Sequence, residues 1–125
     1  MQLIISGIIL IVIDFIYLSL TLPIFLNMVK QIQKSPVIVR PGGVIASYIL
    51  PILGLNIFIL KENKSPLEAG LLGFIMYGVF DAVNYTLFTK YNLKLAIIDT
   101  LWGAALFYIT TYLTYSFSNN LSLYI

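Results

Sequence analysis

Residues 3–26 read LIISGIILIVIDFIYLSLTLPIFL, and Asp14 is the only charge in them. A helix rises 1.5 Å per residue, so about 20 apolar residues cross the roughly 30 Å hydrocarbon core of a bilayer. The stretch is long enough to span. It is too long, and too lacking in strict alternation, to be a strand of a membrane barrel. It also reads poorly as a cleavable leader: no Lys or Arg precedes it, Asp14 interrupts it, and it exceeds the roughly 7–15 residues of a signal core. We read it as a retained first transmembrane helix.

Three further apolar runs follow, at about 43–60, 66–89 and 95–117. The composition agrees, with 60% hydrophobic and only 10% charged residues against about 25% charged in soluble domains. The excess apolar surface must face lipid. The fold expected is all-α: a polytopic membrane protein whose four transmembrane helices form a compact up-down bundle, within a single integral membrane domain of residues 1–125.

The connections between runs are short. Helix one keeps some amphipathicity through Lys30 and Lys34 until Ser35-Pro36 stops it. Pro41-Gly42-Gly43 punctuates the start of helix two, and Ser65-Pro66 resembles an N-cap followed by a first-turn proline before helix three. Tyr91-Asn92 centres the turn into helix four. Loops one and three carry Lys30, Lys34, Arg40, Lys90 and Lys94, whereas loop two carries only Lys61 and Lys64. That bias puts loops one and three in the cytoplasm and both termini on the non-cytoplasmic side.

Several chemistries drop out. With neither cysteine nor histidine in the chain, there is no disulfide, no thiol nucleophile, no Cys/His zinc site and no His-ligated haem. No cofactor and no metal is expected. A net charge of +2, with the lysines single and at helix ends, gives no basic patch for nucleic acid.

Three of the five acids, Asp14, Asp81 and Asp99, fall deep inside predicted helices, Glu68 being at the very start of the third, and none of the seven basic residues lies within one. A charge at the bilayer centre costs at least about 2.5 kcal/mol, so these acids need partners. With the turn centred on residue 92, Asp81 lies level with Trp102 and Gly103, and Asp99 with Asn84 and Tyr85. Tyr77, Asp81 and Asn84 share one face of helix three. In this register Asn84 donates to Asp99 and the Trp102 indole to Asp81. Asp14, with Tyr17 one turn away, sits near mid-membrane on helix one. The polar intramembrane site expected is thus Asp14, Tyr17, Tyr77, Asp81, Asn84, Asp99 and Trp102. Its bland counterpart is interhelical glue, since polar residues in bundles often serve only as hydrogen bonds between helices.

Ala69, Gly73, Gly78, Ala82 and Gly103 read as helix-packing positions, because small residues let backbones approach. Pro51 is expected to kink helix two, with Gly54 and Asn56 nearby. Tyr108, Tyr112 and Tyr115 read as an interfacial belt. Asn120-Leu121-Ser122 matches a glycosylation sequon by pattern, too near the membrane to be used.

Tyr77-Gly78-Val79-Phe80-Asp81-Ala82-Val83-Asn84, followed by Asp99-Thr100-Leu101-Trp102-Gly103, resembles domain-of-unknown-function family 2177, small membrane proteins of four spans. The resemblance covers nearly the whole chain and is strongest over residues 66–108. It implies four helices and the recurrence of Asp14, Asp81, Asn84, Asp99, Trp102 and Gly103 as pattern positions. The first-helix motif here has Tyr17 where the family has tryptophan, and Thr89-Lys90-Tyr91-Asn92 replaces the usual turn. The resemblance supplies no reaction.

Buried carboxylates favour a channel or transporter subunit for protons, cations or a small polar solute. So small a bundle leaves little room for an internal pore, which points to a homo-oligomer. The alternative is a non-catalytic structural or assembly protein of a cellular or viral membrane, with the acids fixing helix pairing. An intramembrane enzyme acting on lipid is the least supported: two carboxylates and an amide make a thin ligand set without histidine.

Overall fold

The computed structural model describes residues 1–124, with side chains through Asn119; the side chains of the Asn120–Ser122 sequon lie outside the described residues. Four helices follow one another: α1 (Gln2–Gln33), α2 (Pro41–Leu55), α3 (Pro66–Leu87) and α4 (Leu93–Tyr124). The last turn of α2 widens into a π-helical segment, Asn56–Leu60. All four helices are long and apolar enough to cross a bilayer, α2 together with its π segment. Large apolar side chains stand on the outer surface, with Phe15 69%, Leu20 73% and Leu67 66% exposed. In water that surface would drive aggregation, and in lipid it is solvated. The chain is a multi-pass integral membrane protein.

The helix ends follow their local sequence. α1 runs on through its amphipathic tail to Gln33, and Lys34 closes it in the left-handed region at φ 56°, its N–H donating to the Lys30 carbonyl. At α3 the Ser65 hydroxyl accepts from the Glu68 N–H at 3.2 Å, while the Glu68 carboxylate accepts from the Ser65 N–H at 2.9 Å. With Pro66 behind it, this reciprocal cap fixes where α3 begins. Pro51 lies buried inside α2. Beyond it the π segment is steadied by Asn56, whose amide donates to the Ile52 carbonyl at 2.7 Å and to the Ser6 hydroxyl at 2.9 Å. Extra backbone slack in a membrane helix persists only where neighbours resupply its hydrogen bonds.

Packing is uneven. α3 lies along α4 over most of its length and α1 crosses α4, but α2 meets α1 only through a narrow strip. At the loop-two end Leu10, Leu55, Leu60, Ala69, Leu106 and Phe107 form a closed core, and Tyr115 ties α4 to loop two by donating to the Lys64 carbonyl at 2.6 Å. Towards loops one and three, the first half of α2 stands clear of the bundle, and Tyr48 is the only residue of Pro41–Leu50 that is not exposed.

Small residues make the α3–α4 approach. A Cβ on Gly73 would overlap the Gly103 carbonyl, and one on Gly103 would overlap the Tyr77 ring. Gly78 is looser, since a Cβ there would come 3.3 Å from the Thr100 methyl, and Gly70, not singled out from the sequence, joins the same seam against Ala104. Ala69 is fully buried. Ala82 departs from its expected packing role. It is exposed, and lines a lipid-facing groove between α3 and α4, because it sits one residue round the helix from Asp81, whose side chain turns inward.

Candidate functional site

α3 stops at Leu87 and α4 starts at Leu93, so the turn is centred on residue 90 rather than 92. Antiparallel helices pivot on that centre, and the change slides α4 along α3 by about four residues, roughly 6 Å. Asp81 comes level with Asp99 instead of Trp102. The indole of Trp102 is turned to α1, where it donates to Asp14 Oδ1 at 3.0 Å. The expected Trp102–Asp81 and Asn84–Asp99 pairs are therefore replaced by others.

Asp14 is buried and accepts from two other helices: Trp102 Nε1 on one oxygen and the Tyr48 hydroxyl, at 2.7 Å, on the other. Asp81, 2% exposed, is satisfied in the same way by the Tyr91 hydroxyl at 2.9 Å and the Thr100 hydroxyl at 3.0 Å. Tyr91 lies in the turn but is folded inward. Burial, then its bond to Asp81, pushes its phenol above the usual tyrosine range, so it remains a donor.

Asp99 differs from both. It is only half-buried, and its single donor is the Tyr17 hydroxyl at a long 3.3 Å. Its carboxyl also lies near that of Asp81. Tyr17 is held in place by stacking on Trp102, with ring centroids 4.6 Å apart and planes 12° from parallel. Every donor to the three acids is neutral, which suits groups that must stay in a membrane interior without a paired cation.

Two cavities meet at this point. One, of about 430 Å³, lies between α1, α2 and α3 and is bordered by Asp14, Tyr17, Tyr48, Tyr77, Phe80 and Asp99. The second, of about 460 Å³, runs from Tyr17 and Asp99 past Asn84 to Gln33, Phe88 and Tyr91 at the loop-one and loop-three end. Tyr17, Leu18, Phe80 and Asp99 border both. A larger hollow of about 750 Å³ between α3 and α4 is walled almost wholly by apolar side chains such as Phe74, Ile75 and Val79 and is open to the outside of the bundle. Among the described residues no three acidic, Cys or His side chains converge as metal ligands.

Of the seven residues expected at a polar site, Asp14, Tyr17, Asp99 and Trp102 thus form a linked hydrogen-bonding and stacking system, and Asp81 stands beside it with donors of its own. Tyr77 borders the first cavity and sets its ring edge-on to Phe107, 6.2 Å between centroids. Asn84 borders the second cavity beside Tyr91, and its expected bond to Asp99 is not formed. Sequence reasoning missed Tyr48, Tyr91 and Thr100. The available signal was a count of donors: three intramembrane acids without basic partners require several neutral O–H or N–H groups, and few lie at the right depth.

The family described as "predicted membrane protein (DUF2177)" matches residues 1–117. The chain belongs to this family. No curated protein and no solved structure matches it. In this DUF2177 member the two motifs of α3 and α4 meet: Asp81 and Asp99 face one another, and Trp102 links α4 to α1.

Proposed function

We propose that the protein carries protons or a small cation across the bilayer, with Asp99 as the group that receives and releases the positive charge. One observation carries this reading. Asp99 accepts a single long hydrogen bond where Asp14 and Asp81 accept two each, and it borders both cavities. A carboxyl with a tyrosine on one side and a second carboxyl on the other is a chemically competent relay. The sealed core at Leu10, Leu55, Leu106 and Phe107 favours a gated carrier over an open pore. In a carrier, α2 is the element free to move, because its first half touches little else.

The basic residues of loops one and three support an orientation in which the second cavity opens to the cytoplasm and the termini lie outside. A homo-oligomer belongs to the same reading, and the mass of the protein in detergent tests it. The central test is proton or cation flux in proteoliposomes. Wild type should conduct above empty vesicles and Asp99→Asn should fall to background; equal flux from both removes the proposal.

A structural or assembly role is the second reading. The full satisfaction of Asp14 and Asp81 by donors from other segments supports it, since that is what purely architectural polar groups look like. It gains if no flux is found while Asp14→Asn loosens the bundle.

A further inference from the structure

The cavity between α1, α2 and α3 is larger than the passage of a proton requires, and its walls are of a particular kind. At about 430 Å³ it falls within the range of small-molecule sites. Tyr17, Tyr48, Tyr77 and Phe80 supply aromatic rings, and Trp102 backs Tyr17 by stacking. No lysine or arginine borders it, so nothing there compensates an anion. Of its two carboxyls, Asp14 is already engaged by two donors, which leaves Asp99 as the open acceptor. A divalent metal would need a richer set of oxygen ligands than these offer. A weakly hydrated organic cation needs less: one carboxylate for its charge and ring faces, with their negative quadrupole, around its alkyl groups.

We infer that this cavity binds a small monovalent organic ammonium ion, its charge set against Asp99 and its alkyl groups among Tyr17, Tyr77 and Phe80. The inference rests on the proposed passage of positive charge and names the class of its cargo. Entry is from the side of α2, whose exposed first half contributes Val44, Ser47 and Tyr48 to the wall. The Tyr48–Asp14 hydrogen bond is the contact that closes this side over the ligand.

The chain contains a single tryptophan, and it stacks on Tyr17 and donates to Asp14, two residues of this cavity's wall. Fluorescence of the purified full chain in detergent therefore reads occupancy directly. Tetramethylammonium and n-butylammonium chlorides should each give a saturable change. Sodium chloride at matched ionic strength and 1-pentanol, a neutral chain of similar size, should not. Asp99→Asn should weaken ammonium binding at least tenfold, and Phe80→Leu several-fold. Phe80 is more than half exposed, so its replacement leaves the fold intact and decides the matter should Asp99→Asn fail to fold. Equal responses to 1-pentanol or sodium, or undiminished ammonium binding by both variants, overturn the inference. Asp99-dependent proton flux without an ammonium response leaves the carrier standing and removes the organic cargo. Asp99-dependent ammonium binding without flux keeps the site and removes the carrier.

Discussion

At the loop-two end the bundle is closed by Leu10, Leu55, Ile59, Leu60 and Phe107, and just beyond them Gly73 and Gly103 bring two backbones into contact. Towards loops one and three the first half of α2 stands away, and two cavities reach inward to Asp99. The halves differ in what holds them. Lipid tails are as apolar as leucine, so no hydrophobic force gathers helices in a bilayer, and dispersion and hydrogen bonds must do it. The closed half uses dispersion at short range, which depends on shape and tolerates no added atom. The open half uses hydrogen bonds from tyrosine, threonine and tryptophan to carboxylates, which are individually modest and leave space between them. Damage to the first should therefore be global, and damage to the second local.

The largest effect is expected at the seam. Gly73→Ala places a methyl group against the Gly103 carbonyl, a backbone atom that cannot turn aside. Overpacking of this kind costs about 1–3 kcal/mol in ordinary cores, and here the upper figure or outright failure to fold is expected, because α3 and α4 must separate. Gly103→Ala should behave alike, while Gly43→Ala, with nothing within 4 Å of the added atom, should stay within about 0.5 kcal/mol of wild type. Thermal unfolding in detergent separates these cases. A Gly73→Ala protein that melts with wild type would dissolve the contrast between the halves.

Next come the acids. Asparagine in place of Asp14 or Asp81 turns one acceptor into a donor and points it at an existing donor, Tyr48 or Trp102 in one case and Tyr91 or Thr100 in the other. A loss of about 1–2 kcal/mol is expected for each. Asp99→Asn gives up one long bond and should cost less than about 0.5 kcal/mol, while removing flux. If the three variants melt in the reverse order, Asp99 is an architectural residue and the other two are not.

That the chain has four membrane-spanning helices was legible because the length of an apolar run is a one-dimensional signal. The three intramembrane acids were legible as well, because a charge in such a run is conspicuous. Their partners were not. Register between α3 and α4 depends on where the turn is centred, and a shift of two residues there exchanged Trp102 for Asp99 opposite Asp81. Tyr91, assigned to the turn by sequence, reaches back to Asp81 because α3 ends at Leu87. Nor does spacing along α3 tell which small residues face a helix: Gly73 and Ala82 both satisfied the pattern, and only Gly73 meets α4. The π segment left no trace in hydropathy, being a matter of backbone slack next to Pro51 and Asn56.

Within the open half, Tyr48→Phe removes the one side-chain hydrogen bond that ties the first half of α2 to α1. The expected cost is small, about 0.6 kcal/mol, and the change should appear as access. The chain has no cysteine, so Ser47→Cys provides a unique thiol on the cavity wall. Its maleimide labelling in membranes should be several times faster with Tyr48→Phe than without, and identical rates would mean that α2 is held by something other than this contact.

The smallest effect is expected at Ala82. Its side chain lies in the lipid-facing groove between α3 and α4, where added methyl groups replace acyl-chain contacts with similar ones. Ala82→Leu should leave the melting temperature unchanged to within the equivalent of about 0.5 kcal/mol. The mass in detergent matters more than the melting temperature here. A small residue on an outer surface either faces lipid or faces another copy of the chain, and the two differ in what an added side chain does. Unchanged mass assigns the surface to lipid and confines close packing to the Gly73–Gly103 seam. A lower mass with unchanged melting of the monomer would mean that the open half of the bundle is covered by a second copy, and that its exposed groove is half of an interface.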